Sequence, residues 1–325
     1  MIFFLPFAAP GAKALNRPEP LYQFTRDRRS PPLSKSTSTR SFGTGNREGH
    51  DSSPFYARKL CATVDCQKTS AHINCIPESC LDRVYEHSSE RMHELPDNSV
   101  SLMVTSPPYN VGKDYDRDMN LEEYLDFLKA VLAETSRVLL PGGRVAFNVA
   151  NLGRKPYIPL NAHVSVLAAE VGLLMRGEII WVKGKGANGS CAWGSWMSAN
   201  NPTLRDLHEY VLIFCKDRFN LPRRGESTIG REEFMAATTS VWHIAPESAR
   251  RVGHPAPFPV ALVERLIHLY TFAGDAVLDP FMGSGSTAVA AVRSGRRFIG
   301  YEINPEYASA CMERVSRTLR QSLSA

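Results

Sequence analysis

Two short stretches of the chain hold residue types that can do chemistry at their spacing. In Thr105-Ser106-Pro107-Pro108-Tyr109-Asn110 a hydroxyl, two prolines and a tyrosine stand side by side. The prolines stiffen the turn and remove two backbone donors, so its carbonyls remain as acceptors. The Pro107 carbonyl and the Ser106 hydroxyl can both accept from an –NH2 group, and Tyr109 offers a flat face to the ring that carries it. An exocyclic base amine suits such a site. Its nitrogen is a poor nucleophile because the lone pair is delocalised into the ring. Hydrogen bonds that draw its protons out of plane localise that pair, and the tyrosine face stabilises the cation formed as a methyl group arrives. This scheme needs no strong base, and none stands within the motif.

Residues 277–288 read as a strand, a tight turn and a helix start. Gly283 and Gly285 let the backbone turn around Ser284 and approach a ligand, and the helix N-terminus offers unpaired N–H groups. Glu302 follows Gly283 by nineteen residues, at the end of the next strand, where it can accept from both hydroxyls of a ribose. Gly-x-Gly-x-x-Ala with such an acid also fits the dinucleotide fingerprint, so the loop by itself admits NAD as well as S-adenosylmethionine. Asp279 and Phe281 tilt the choice. An acid before the turn can accept from the ammonium group of a methionine, whereas it would repel a pyrophosphate.

The elements that position these groups alternate. Strands are expected at 99–105, 144–149, 178–182, 209–214, 276–279 and 298–302. Helices are expected at 121–139, 158–171, 258–272, 286–294 and 305–319, the first of them closed by Pro141-Gly142-Gly143. Strand–helix alternation of this kind means an α/β fold with a doubly wound, mostly parallel sheet. The Ser-Pro-Pro-Tyr turn then lies at a carboxyl strand end, where open α/β sheets bind ligands. Residues 10–60 are rich in Ser, Thr, Pro, Gly and Arg without periodicity, so 1–80 is expected to be a disordered extension and 81–325 the folded domain.

Together the two motifs resemble the DNA amino-methyltransferases of the β group, specifically the Ser-Pro-Pro-Tyr type that methylates cytosine N4 in restriction–modification systems. The order, turn before glycine loop, is that group's circular order, and the resemblance spans roughly residues 84–317. Further matching pieces are Leu95-Pro-Asp-Asn-Ser-Val100, Trp181-Val-Lys183, the stretch from Trp193-Gly-Ser-Trp196 to Lys216, and His254-Pro-Ala-Pro-Phe-Pro259. The resemblance implies S-adenosylmethionine as cofactor, double-stranded DNA as partner and a cognate restriction endonuclease acting on the same site. It implies that Ser106, Pro107, Pro108 and Tyr109 hold a flipped cytosine. Asp279, Phe281, Gly283, Ser284 and Gly285 would cradle the cofactor, and Glu302 its ribose. It places a further cofactor-side strand near residues 84–87, and there the chain departs from the pattern: an acid usual after that strand is replaced by Glu86-His87-Ser88-Ser89, so either Glu86 moves in or the contact is lost. Methylation of adenine N6 is the alternative within the group, and an NAD-dependent oxidoreductase the more distant one.

Charge at first suggests nucleic acid, since 38 Lys+Arg against 33 Asp+Glu give a formal +5. Ten of those bases and four of the acids lie in residues 1–60, which leaves 28 bases and 29 acids for the rest. The global basicity therefore belongs to the extension. Within the near-neutral body, 181–225 carries Lys183, Lys185, Arg205, Lys216, Arg218, Arg223 and Arg224 against three acids, a candidate phosphate-binding rim beside Trp193 and Trp196. Residues 219–242 fit no sheet element, which makes 217–250 the candidate target-recognition insertion, with Arg223, Arg224 and Arg231 able to reach guanines. Seven cysteines do not form a disulfide framework. Cys61, Cys66, Cys75 and Cys80, with His72, depart from zinc spacing, so no metal is expected. No apolar run reaches the ~18 residues of a membrane span, and a cytoplasmic protein is the expectation.

Overall fold

A computed structural model describes Arg58 and residues 72–109, 118–153, 155–183, 194–247 and 258–323. An eight-stranded sheet runs through them in the order β1 (Arg83–Tyr85), β10 (Arg297–Tyr301), β9 (Ala276–Asp279), β2 (Val100–Thr105), β3 (Leu139–Val149), β7 (His208–Lys216), β6 (Leu173–Val182) and β8 (Val241–His243). The first five are parallel. Strand β7 runs against both of its neighbours, and β8 is parallel to β6. A two-stranded ribbon, β4 (Leu152–Gly153) with β5 (Tyr157–Ile158), follows β3. This is the expected α/β, mostly parallel architecture.

Strand side chains alternate between two cores, as a period of two requires. Met103, Val145, Phe147, Leu212 and Phe214 face one side, under α1 (Leu121–Val138) and α2 (Leu160–Glu170). Leu102, Val104, Ala146, Val211 and Ile213 face the other, under α4 (Val260–Tyr270), α5 (Ser286–Arg293) and α6 (Pro305–Leu323). Each such fully buried apolar side chain contributes about 1.5–3 kcal/mol relative to exposure, which fixes the register of the strands that carry the site. Helix α1 starts on a capping box: Asn120 Oδ1 accepts from the Glu123 amide at 3.0 Å, and Glu123 Oε2 accepts from the Asn120 amide at 2.9 Å.

Three expectations need correction. Pro141-Gly142-Gly143 does not separate α1 from its strand, because β3 already begins at Leu139 and carries the three residues as a bulge. The β2–β3 register moves from Val100↔Leu139 to Leu102↔Arg144 there. Gly142 sits at φ +82°, with Asn220 O where a Cβ would have to go. Residues 219–242 are not free of sheet structure: α3 (Arg231–Ala237) and β8 lie within or across their end, and Trp242 and Ala237 are buried in the second core. Ordered contacts also reach back before residue 81. The side-chain amide of Asn74 donates to Asp97 O at 2.7 Å, Ile76 packs on the first core, and Glu78 pairs with Arg297 at 2.7 Å. Residues 1–57 and 59–71 lie outside the described residues. Among the described residues, no helix is long and apolar enough to cross a membrane.

Candidate active site

Strands β9, β10 and β2 run parallel, so their carboxyl ends meet at one edge of the sheet. A cleft opens there. It is lined on one side by Ser106, Pro107, Pro108 and Tyr109, and on the other by Asp279, Phe281, Gly283, Ser284 and Glu302. The two motifs, about 170 residues apart in the chain, thus form opposite walls of one space.

The glycine-loop wall is built by local bonds. Asp279 ends β9, and its carboxylate accepts from Thr105 Oγ1 and Thr287 Oγ1, both at 2.6 Å, and from the Phe281 amide at 3.0 Å. One side chain therefore ties β2, β9 and α5 together. Burial raises its carboxyl to about 6, with Glu302 adding to the rise and the three donors opposing it. Glu302 accepts from the Gly283 amide at 2.8 Å and the Asn304 amide at 2.9 Å, and burial raises it as well. Gly285 caps α5 at φ +84°, and a Cβ there would lie 2.3 Å from Cys311 Sγ, so only glycine fits. Arg314 pins the loop from α6 by donating to Ser284 O at 2.6 Å. Phe281 packs on Phe127 at 5.6 Å between ring centres.

The opposite wall is assembled from distant strands. Ser106 Oγ lies 3.1 Å from Tyr109 Oη, and the Tyr109 hydroxyl donates to Glu209 Oε2 at 3.3 Å. Asn148, buried on β3, directs its side-chain nitrogen to Glu209 Oε2 at 2.6 Å, with Tyr109 Oη at 3.1 Å and Ser106 Oγ at 3.2 Å. Lys183, just beyond β6, forms an ion pair with Glu209 Oε1. The Tyr124 hydroxyl donates to the Pro108 carbonyl at 2.8 Å. Burial, and then the Glu209 carboxylate, holds the Tyr109 hydroxyl well above the usual tyrosine range, so it stays protonated. Sequence reasoning misses Asn148 and Glu209 as site residues, and takes Lys183 as part of a matching piece and of a basic cluster without giving it a place in the site. The signal that could find them is a polar side chain inside an apolar strand, Asn148 in Ala-Phe-Asn-Val and Glu209 at the mouth of Tyr-Val-Leu-Ile-Phe.

Glu86 stays outside the cleft, while His87, Ser88 and Ser89 line it. The basic cluster does not form one rim. Since β7 is antiparallel, Glu209 is at the cleft and Lys216 at the far edge, where Lys216 donates to Asn98 Oδ1 at 2.7 Å. Arg223 is also at the far edge, bonded to Ser101 Oγ at 3.2 Å and to Asp275 at 2.5 Å. It is committed to the scaffold and does not reach toward a base. Lys185, Trp193 and His254 fall outside the described residues, as do Cys61 and Cys66. Cys75 is exposed, and Cys80 directs its thiol to Glu94 O at 3.6 Å.

The cleft fits a nucleoside carrying a cationic amino-acid group. Two carboxylates face it, Asp279 buried and Glu302 half-buried, held by hydroxyls and backbone amides next to the N-terminus of α5. Comparison with known proteins agrees. The sequence model of the DNA methylase family, N6_N4_Mtase, matches residues 100–313. The Type II methyltransferase M.MthZI of Methanothermobacter thermautotrophicus is 32% identical over 277 residues, covering 74% of this chain and 78% of that one. A Thermus thermophilus protein described as a putative DNA modification methylase, solved in complex with S-adenosyl-L-methionine, superposes with a TM-score of 0.59 at 30% identity, over 73% of this chain and 93% of its own. The cytosine-N4-specific PvuII DNA methyltransferase shares the fold, with a TM-score of 0.58 at 23% identity, over 71% of this chain and 85% of its own.

Proposed function

The chain belongs to the DNA methylase family, and from that premise we propose that it is a Type II, β-group enzyme of the Ser-Pro-Pro-Tyr kind, which methylates the exocyclic N4 of cytosine in double-stranded DNA. The observation that carries the reading is the single cleft in which the Ser106–Tyr109 turn faces the glycine loop and Glu302. S-adenosylmethionine, when bound, supplies a methyl group activated by the adjoining sulfonium. Glu302, already oriented by two backbone amides, keeps lone pairs for ribose hydroxyls. Asp279 presents a buried carboxylate toward the methionine ammonium. Phe281, backed by Phe127, Gly283 and Ser284 close the wall around the cofactor.

On the substrate side, Tyr109 stacks on the flipped ring and is held by Asn148 and Glu209. Because Pro108's carbonyl is committed to Tyr124, the amine protons go to Pro107's carbonyl and to Ser106 Oγ. A proton leaving the methylated nitrogen can pass from Ser106 to Tyr109 and on to Glu209 along contacts of 3.1 and 3.3 Å. The turn contains no strong base of its own, and the fold brings a carboxylate to its back. The serine at 106 is what favours cytosine N4 over adenine N6. DNA contacts fall to residues 194–207, which stand between Lys183 and Glu209 in the chain and expose Trp196, Met197 and Leu204, with the remainder of 217–250. The functional partner is an endonuclease that cuts the same site. The deciding experiment is mass spectrometry of nucleosides from DNA methylated by the purified protein. N4-methylcytosine is expected; N6-methyladenine would move the target within the family, and no methylated base would remove the reading.

A further inference from the structure

His87, His93 and Glu94 lie on the segment between β1 and β2, apart from the groups that hold substrate. Among the described residues this is the one cluster in which three metal-ligating side chains bring their ligand atoms within 4.8 Å of one another. Both histidines aim Nε2 at the same atom, Glu94 Oε1, from 2.7 and 3.0 Å. The rings stack, 5.2 Å between centres and 15° apart. His87 Nδ1 lies 3.0 Å from Ser88 O, and a carbonyl only accepts, so the ring hydrogen sits on Nδ1. The oxygen that Nε2 faces at 2.7 Å also only accepts, so the ring reaches Glu94 through a second hydrogen, one that a metal ion would displace. The second oxygen of Glu94 already accepts from Tyr301 Oη at 3.0 Å. Two imidazole nitrogens and one carboxylate oxygen thus converge on one point, where a metal ion can take the place of the hydrogens between them.

We propose that this cluster is a binding site for a divalent transition-metal ion of the zinc class, with His87 Nε2, His93 Nε2 and Glu94 Oε1 as protein ligands and water completing the shell. Two imidazoles with one carboxylate suit zinc and its neighbours, whereas magnesium and calcium take oxygen ligands. Outer partners are in place for both oriented ligands: Ser88 O fixes the tautomer of His87, and Tyr301 holds Glu94. Bonds of about 2.0–2.1 Å in a tetrahedral shell set ligand atoms about 3.3 Å apart, so the two histidine–carboxylate spacings of 2.7 and 3.0 Å have to open by about 0.6 and about 0.3 Å. The His93 side chain is 74% exposed, which leaves an entry path and room for water. Since His87 and Ser88 line the cleft, the ion would brace the wall behind the cofactor without touching the reacting atoms.

The test uses the full chain, stripped of metal, titrated with Co2+ by absorption spectroscopy and with Zn2+ by calorimetry. One equivalent is expected, with ligand-field bands and no thiolate charge-transfer band. Affinity should fall about tenfold or more in His93→Ala and in Glu94→Gln. His93 is exposed, so its variant should fold, and circular dichroism checks this. A Cys75→Ser/Cys80→Ser variant should bind as the parent does. The proposal is overturned by absence of saturable binding, by a thiolate band, or by affinity unchanged in both ligand variants. None of these readouts requires methyl transfer, so failure here is distinguishable from failure of the methylase reading.

Discussion

The two walls of the cleft are made by different means. The glycine-loop wall, from Asp279 to Glu302, is one strand–turn–helix–strand unit whose groups are fixed largely by backbone amides and neighbouring hydroxyls. The Ser-Pro-Pro-Tyr wall borrows Asn148 from β3, Glu209 from β7 and Lys183 from the end of β6, and side chains fix its Ser106 and Tyr109 hydroxyls. A wall made of backbone tolerates most side-chain changes and fails at its glycines. A wall made of converging side chains fails wherever one of them is cut. Substitutions on the two sides should therefore separate chemistry from cofactor binding.

The largest separation is expected at the turn itself. Tyr109→Ala and Ser106→Ala should lower methyl transfer by about 10^3-fold or more while leaving cofactor affinity nearly intact, because each removes an interaction used as charge develops on the nitrogen. Activity assays beside calorimetric titration with cofactor would read this. Retained turnover in both variants would break the division between walls. On the other wall, Gly285→Ala combines a left-handed backbone with a collision against Cys311, and should cost about 3 kcal/mol of stability in denaturant melts. Gly274 provides the control. It has φ +78°, but a Cβ added there would meet nothing within 4 Å, so Gly274→Ala should cost only about 1 kcal/mol.

Next in size is Glu209→Gln, expected to lower turnover by about 10^2-fold with cofactor affinity unchanged. The substitution keeps a hydrogen-bond partner for Tyr109 but removes the negative charge that Lys183 faces and the end of the proton path. If the loss appeared in cofactor affinity instead, Glu209 would belong to the other wall.

The same contrast explains what is legible in the sequence. Asp279, Gly283, Gly285 and Glu302 sit within one local unit, so their relative placement follows from strand, turn and helix geometry alone. The Ser-Pro-Pro-Tyr segment is visible as a rigid turn after a strand for the same reason. Asn148 and Glu209 meet only because β7 lies antiparallel beside β3, pairing Asn148 with Val211, and no local pattern encodes that reversal. It also misleads the charge reading, because the antiparallel β7 carries the chain from one edge of the sheet to the other, leaving Lys183 and Glu209 at the cleft and Lys216 and Arg223 away from it. Pro141-Gly142-Gly143 looks like punctuation between helix and strand because a bulge uses the same residues as a helix end.

The finest test concerns pH on the backbone-built wall. Asp279 has its carboxyl raised from 3.8 to about 6 by burial, so folding favours the protonated acid. Its contribution to stability is fully present below about pH 4 and is lost as pH rises through about 6, a change of about 3 kcal/mol in the ligand-free protein. A cationic ammonium reverses the preference, since it interacts with the ionised form. Cofactor affinity should therefore rise by about tenfold between about pH 5 and about pH 7 and then level off. Asp279→Asn cannot ionise, so it should show a flatter affinity profile, and the stability difference between it and the parent should shift in the parent's favour as pH falls toward about 4. Calorimetric titrations from about pH 5 to about pH 8, with denaturant melts of the free proteins, read both effects. Identical profiles for the two proteins would mean that the cofactor's positive end lies elsewhere, and the wall built from backbone would then hold the nucleoside through Glu302 and the glycine loop alone.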